Sequence, residues 1–568
     1  MQGHGHRRTG RVAVALHALS LVAGFFVLLY CNRDQWFFGD EWDFLGHRGV
    51  LEADRSIWAP HTDHWSTGPI LMYRALYSLY GLKTYVPYVV VLLLLHVAVA
   101  HLLWRLMRRA GIDVVVATAL AAVFVVLGAG AENLLWAFQI GFIGSLALGM
   151  AGLLFVDHDG GWDGRDFGAW AVSVLGLTFS GVSVTMVAVA GMTVLMRRGW
   201  RQAALTVAVP GAVFMTWFLL IGNQNLGSSR RELEDVLDYP GYIWTGLRTA
   251  VEQAVGFPGA GPLLVLGLAV FLLRRGGQAA GPAAPVFACA LGALVMFALI
   301  AFGRTDLGVQ QSEASRYTYI VVALALPAAG LLLSELVGHG ATPGPLGAAH
   351  VAGRTTVVCA LLLLVGLHNG GLLLEASRAE KRLEQDLKGK ILAAAQLVKS
   401  PAVILGGHPE TEFSPDIEVP DLRRMYRDDK LPTPTRITPA QRVAVATSLQ
   451  YSVDRNALLT PFAAPLVDGV VGGTDERDGT GCIRVFPNAP TVELHLAGGD
   501  PMSLRLTTQV PGEVTGYLRL FTPRLHTGPP HVDKVRANEP VFVNVTATVD
   551  QVVLRLPPSG TTEVCGVA

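Results

Sequence analysis

The sequence predicts a polytopic α-helical membrane protein of about eleven spans, followed by a β-rich domain outside the cell. Three observations carry this. Of 568 residues, 51% are hydrophobic and 15% charged, against roughly 25% charged in soluble domains. Apolar runs recur through residues 12–375, several close to the ~20 residues that cross a bilayer as a helix. Near residue 400 the pattern changes to short alternating runs between Pro, Gly and Asp clusters, the signature of strands.

Residues 1–11 form a basic head with Arg7, Arg8 and Arg11. The apolar 12–31 stretch follows without a small-residue cleavage site, so it reads as a retained signal-anchor helix with the head in the cytoplasm. A polar loop, 32–84, comes next, and its 68–80 part is amphipathic enough to lie along the membrane surface. Spans are expected near 85–104, 113–130, 134–156, 167–180, 183–196 and 201–221. A polar segment at 222–261, with a second interfacial helix at 239–255, precedes spans near 262–273, 285–302, 317–337 and 355–374. This threading places the 32–84, 222–261 and 303–316 segments and the C-terminal part on the outer face. Basic residues are then about twofold denser on the inner side, as the positive-inside rule requires. Residues 376–399 read as a charged amphipathic connecting helix, and 400–568 as the β-rich domain, with strands at 402–405, 492–496, 504–508, 515–521, 541–546 and 551–556.

The formal net charge is zero, which gives no reason to expect a nucleic-acid partner. Cys31, Cys289 and Cys359 fall in apolar runs and pack as small hydrophobes. Cys482 and Cys565 lie in the polar C-terminal part, where an oxidising exterior would let them pair. The Arg-, Ala-, Val- and Gly-heavy composition suggests a GC-rich bacterial, and within that actinobacterial, genome.

Four clusters could carry chemistry. Asp40, Glu41 and Asp43 crowd beside Trp36 and Trp42 in the first loop and are candidates for a general base. His61, Asp63 and His64, with Trp58 and Trp65, could hold a divalent metal or seat an acceptor sugar. Arg304, and Arg316 with Tyr317, flank the 303–316 loop, where planar guanidinium forks suit a lipid phosphate. Glu132, Trp136 and Gln139 share one helical face at an outer helix start and could line the same cavity. His17, His96, His101 and His368 lie in or near spans and are expected to be packed, hydrogen-bonded groups. Ionisable residues are nearly absent in mid-span, which argues against an ion-coupled transporter.

These residues, in this order, resemble the GT-C superfamily of polytopic membrane glycosyltransferases. Gly39-Asp40-Glu41 is similar to the Asp-Glu-type motif of that family's first outer loop. The resemblance covers roughly residues 10–375. It implies an inverting transferase that moves a hexose or pentose from a polyprenyl-phosphate carrier to a hydroxyl of a cell-wall glycan or glycolipid. It implies further that Asp40 is the base, with Asp43 as the alternative, that Arg304 and Arg316 lie near the carrier phosphate, and that the protein resides in the plasma membrane. The competing classes are a lipid-linked glycan transporter or flippase and a non-catalytic scaffold of wall synthesis.

Overall fold

The computed structural model describes residues 2–225, 233–305, 308–338, 345–399, 404–433, 437–457, 466–477, 479, 482–489, 491–497, 502–519, 531–547, 551–557 and 560–567. In chain order the helices are α1 (Gln2–Cys31), α2 (Glu41–Gly46), α3 (Thr67–Tyr80), α4 (Val86–Arg109), α5 (Val114–Val125), α6 (Ala131–Leu135), α7 (Ile140–Val156), α8 (Gly164–Leu177) and α9 (Val182–Arg198). They continue with α10 (Trp200–Leu220), α11 (Leu233–Val255), α12 (Gly261–Arg274), α13 (Ala284–Arg304), α14 (Ser315–Gly338), α15 (Pro345–Lys399), α16 (Val419–Arg427) and α17 (Pro439–Leu449). Among the described residues, seven helices are long and apolar enough to cross a membrane, and the bent pair Val114–Val125 and Gly128–Leu135 makes an eighth. The other apolar runs of the expected set form the shorter helices α8, α9 and α12, of 14, 17 and 14 residues.

Two compact units result. The first comprises Met1–Gln35, Arg55–Leu76 and Tyr85–Lys381; the second comprises Trp36–Asp54, Tyr77–Thr84 and Arg382–Ala568. In the first, local signals set the helix ends. Asp113 caps α5 by accepting from the Val115 and Val116 amides. Asp163 and Asp166 form a capping box at α8. Gly199, at φ +87° behind Arg197 and Arg198, stops α9 and starts α10. The break after α5 has a steric cause. A Cβ on Gly128 would sit 2.0 Å from the Asn369 carbonyl oxygen and 2.5 Å from the Leu373 amide nitrogen, so only glycine lets α15 pass. Asn369 then seals the break, accepting from the Ala129 amide at 3.1 Å and donating to the Ala254 carbonyl at 2.7 Å. The chain bends by 42° there, which turns the short α6, with Glu132, away from the line of α5.

The apolar 355–374 run and the charged 376–399 run belong to one helix, α15, of 55 residues, about 80 Å at 1.5 Å per residue. No proline follows Pro345 to interrupt it.

The second unit holds a two-sheet antiparallel sandwich. Its strands are β1 (Tyr451–Asp454), β2 (Leu466–Val471), β3 (Gly473–Arg477), β4 (Cys482–Pro487), β5 (Val492–Ala497), β6 (Met502–Thr508), β7 (Gly512–Arg519), β8 (His531–Val535), β9 (Pro540–Val545), β10 (Gln551–Arg555) and β11 (Thr562–Val567). One sheet has the order β1-β9-β6-β11-β4-β3, the other β2-β5-β10-β7-β8. Alternate residues such as Val485, Leu504, Leu506, Val543 and Val564 face Leu494, Val514, Leu518 and Val552 in one core. Cys482 and Cys565, directly opposite on β4 and β11, form a disulfide. The expected strands at 492–496, 504–508, 541–546 and 551–556 correspond to β5, β6, β9 and β10, and 515–519 lies in β7. Residues 520–521 and 402–403 fall outside the described residues, and 404–405 are not in a strand.

Candidate functional site

Two helix ends in the first unit, those of α14 and α6, bring Arg316 to Glu132. Ser315 opens α14. Its hydroxyl donates to the Ala129 carbonyl at 3.0 Å and accepts from the Glu132 amide at 3.4 Å, tying α14 to α6. That tie sets Arg316 against Glu132: Nη1 donates to Oε1 at 2.7 Å, and the Arg316 amide lies 3.3 Å from Oε2. Gln139 Nε2 approaches the same carboxylate at 3.5 Å. The Arg316 guanidinium stands 5.2 Å from the Tyr317 ring centre. Helix α11 packs alongside, its Gln253 accepting from Thr318 at 3.2 Å and its Thr249 donating to Glu313 at 3.3 Å.

Tyr242 of α11 is the group that sequence reasoning missed. Its side chain is fully buried, and its hydroxyl has no hydrogen-bond partner among the described residues. Burial, then Tyr317, push its pKa up to about 12, while the charges of Arg304 and Arg316 pull the other way. The hydroxyl therefore stays a donor at neutral pH, within the electrostatic field of two guanidinium groups. Arg304, at the end of α13, has no ion pair among the described residues. Asn133, next to Glu132, is also fully buried with neither amide atom partnered among the described residues. Buried polar groups are almost always satisfied, so the Tyr242 hydroxyl, unpartnered among the described residues and within the field of Arg304 and Arg316, suits an anionic, hydrogen-bonding ligand. A single Tyr within an amphipathic helix carries no signal of this kind in the sequence.

A second missed group is Glu380, beyond the apolar part of α15. Gln35 Nε2 donates to its Oε2 at 3.3 Å. Burial, with the negative Glu132 as the lesser cause, raises its carboxyl to about 8. In the sequence it looks like one acid of a solvated charged run.

The His61–His64 segment is a tight two-bond turn, with the His61 amide donating to the His64 carbonyl at 3.0 Å and the reverse bond at 2.9 Å. Thr62, a β-branched residue, is held at φ +50°, a costly conformation that clusters at functional sites. The turn carries an exposed Asp63, whose Oδ2 lies 3.8 Å from where a Cβ on Gly303, the neighbour of Arg304, would be. His61 and His64 meet Phe138 and Phe142 edge-on. Trp65 is buried, stacked on Trp217 at 5.0 Å, and donates to Thr67 at 2.8 Å. It is a structural pillar, while Trp58 remains half exposed.

The acidic motif belongs to the second unit. Gly39, at φ +60°, starts the turn into α2, and Trp36 and Trp42 pack edge-to-face at 5.6 Å. Glu41 is fully buried and accepts from the Phe38 amide at 3.0 Å. Asp43 is buried in an ion pair with Arg48 at 3.1 Å. Asp40, at the helix start, is the exposed carboxylate of the three.

Among the described residues, two further groups have metal-like composition, and in both the side chains are already engaged within the protein. His158, Asp163 and Asp166 cluster, but Arg198 holds Asp166 at 2.7 Å and Arg165 holds Asp163 at 2.7 Å. Cys482, Glu563 and Cys565 are the other, and the disulfide consumes both thiols. His96 is a satisfied core histidine, bonded to Tyr319 Oη at 2.8 Å and the Val125 carbonyl at 3.1 Å.

No protein-family model and no curated protein matches the sequence. Solved structures with a similar arrangement include ArnT from Cupriavidus metallidurans bound to undecaprenyl phosphate, at 14% identity over 72% of this chain and 84% of that one, with a TM-score of 0.45. The apo form of the same protein aligns at 12% identity over 78% of this chain and 93% of that one, with a TM-score of 0.47.

Proposed function

We propose that the protein is a GT-C-type membrane glycosyltransferase that moves a sugar from a polyprenyl-phosphate carrier to a hydroxyl of a cell-envelope acceptor at the outer face. The observation that carries this is the buried Tyr242 hydroxyl, unpartnered among the described residues and within the electrostatic field of Arg304 and Arg316. A phosphate ester is the ligand class that answers two guanidinium groups and a neutral donor together. Arg304 and Arg316 hold the phosphate, with Glu132 and Gln139 fixing Arg316 and Tyr317 lying beneath it. An acceptor hydroxyl attacks the anomeric carbon, and the bond from that carbon to the phosphate oxygen breaks with inversion. The leaving phosphate takes the electron pair, and the guanidinium charges stabilise it. The family resemblance gives proton acceptance to Asp40, and its exposure at the start of α2 supports that choice over Glu41 and Asp43. The His61–His64 turn and Asp63 are assigned to the sugar or acceptor.

Binding of radiolabelled undecaprenyl phosphate to the full-length protein tests the phosphate grip. Arg304→Ala is expected to weaken binding about tenfold or more, the cost of one charged hydrogen bond, without changing thermal stability. Unchanged binding removes Arg304 and the grip. A transporter instead predicts carrier movement across vesicles that survives Asp40→Asn, with no sugar transferred.

A further inference from the structure

The far end of α1 carries a concave site that the transfer reaction does not use. An open cavity of about 860 Å³ is lined by Gly10, Arg11 and Val14 of α1, Trp104 and Arg108 of α4, and Asp113 at the start of α5. It lies about 30 Å along α1 from Cys31, at 1.5 Å per residue. The Cys31 end is where Ser377 donates to the Cys31 carbonyl at 2.7 Å and Asn32 donates to Leu134, near Glu132, at 3.0 Å. The two sites are therefore at opposite ends of one helix.

The walls are fixed in place. The Trp104 indole donates to Thr118 Oγ1 at 3.1 Å and stacks on His17 at 4.5 Å between ring centres. Arg108 donates to the Ile112 carbonyl. Asp113 Oδ1 is taken by the Val115 and Val116 amides at 2.8 and 3.2 Å, which leaves Oδ2 for a ligand. The cavity thus offers two guanidinium groups, one free carboxylate oxygen and an aromatic wall. Next to it, α1 exposes Val14, Leu16, Leu19 and Val22, an apolar track leading away from the charges.

We propose that this cavity binds a phospholipid headgroup of the phosphatidylethanolamine class. Its phosphate meets Arg11 and Arg108, its primary ammonium donates to Asp113 Oδ2, and its acyl chains follow α1. Basic pockets between helices at a membrane surface are headgroup sites. The carboxylate makes this one selective, since it favours an ammonium with N–H donors over a quaternary ammonium or a neutral glycerol.

Native mass spectrometry of the full-length protein tests this with phosphatidylethanolamine, phosphatidylcholine and phosphatidylglycerol added separately. Phosphatidylethanolamine should be retained best, and Arg11→Gln with Arg108→Gln should lower its retention about tenfold. Arg11→Gln alone, a change at an exposed residue, should give part of that loss in a protein of unchanged stability. Asp113→Asn keeps the helix cap, because asparagine caps as well as aspartate, and should erase the preference for phosphatidylethanolamine over phosphatidylglycerol. Equal retention of all three lipids, or retention that ignores the Arg variants, marks ordinary annular lipid and overturns the proposal. Displacement of the lipid by millimolar inorganic phosphate, or undecaprenyl phosphate binding that Arg11→Gln with Arg108→Gln abolishes and Arg304→Ala leaves intact, assigns the cavity to those ligands and overturns it as well.

Discussion

The acidic motif at 39–43 and the basic loop ends at 304 and 316 are both dense in charge, yet the structure uses them differently. In the motif, Glu41 and Asp43 are spent on the backbone of Phe38 and the side chain of Arg48, and Asp40 alone is exposed. Around the loop ends, Arg316 has a partner in Glu132, whereas Arg304 and the Tyr242 hydroxyl have none among the described residues. Charge density in a sequence marks where a site is worth seeking. Which of those charges stays exposed is settled by the burial and the partners that folding supplies.

Two acids three positions apart should respond to mutation in opposite ways. Asp40→Asn should cut sugar transfer about 10²- to 10⁴-fold, the usual value of a positioned base, with thermal stability unchanged. Asp43→Ala should do the reverse: it takes the Asp43 carboxylate from the buried Arg48 and should cost about 3–5 kcal/mol of stability. A denaturation midpoint unmoved by Asp43→Ala would mean that the pair is not structural and that the motif's acids are interchangeable.

The two arginines are next. Arg304→Ala should lower transfer about 10²- to 10³-fold, the cost of one charge-stabilising donor, in a protein of wild-type stability. Arg316→Ala should lower transfer similarly and also destabilise, because it strands Glu132. A normal transfer rate in Arg304→Ala, measured beside normal folding, would reduce the loop ends to lipid-facing charges.

These contrasts also show what could be read before folding. The helical architecture was legible because apolar length is itself the physical cause of a span. The pairing of Glu132 with Arg316 was half legible: both lay at helix ends on the expected outer side, but the bend that joins them depends on Gly128 yielding to α15, a contact 241 positions away in the chain. The sandwich was recognisable from its central strands. Of the strands with no forecast, β1, β2, β3 and β8 are sheet edges, where polar residues such as those of Gly473–Arg477 replace alternation. Tyr242 and Glu380 were illegible because their properties come from burial and from distant neighbours. Nothing in their local sequence differs from an ordinary amphipathic face.

Tyr242→Phe separates function from packing by a smaller margin. Removing a buried hydroxyl that has no partner should leave stability unchanged or raise it by up to about 1 kcal/mol, since an unsatisfied polar group carries a desolvation cost. Transfer should fall about tenfold, the value of one hydrogen bond to a charged group. Loss of stability in the variant would show that the hydroxyl is satisfied in the resting protein, and it would remove the observation on which the phosphate grip stands.

Glu380 gives the mildest test, because it alters the shape of a pH profile more than its height. The folded protein holds this proton up to about 8, against 4.5 for an ordinary glutamate. Between those values the folded state binds more protons than the unfolded one. Stability must therefore fall as pH rises through that window, and it must flatten above it. Glutamine imitates the protonated carboxyl and can still accept from Gln35, so Glu380→Gln should remove the slope while keeping the fold. Thermal midpoints of the two proteins should converge at the acid end of the window and separate steadily towards its alkaline end, with the variant higher. Parallel curves would mean that Glu380 is ionised and solvated in the folded protein, and that the negative charge of Glu132 does not reach the α15 side of this cluster.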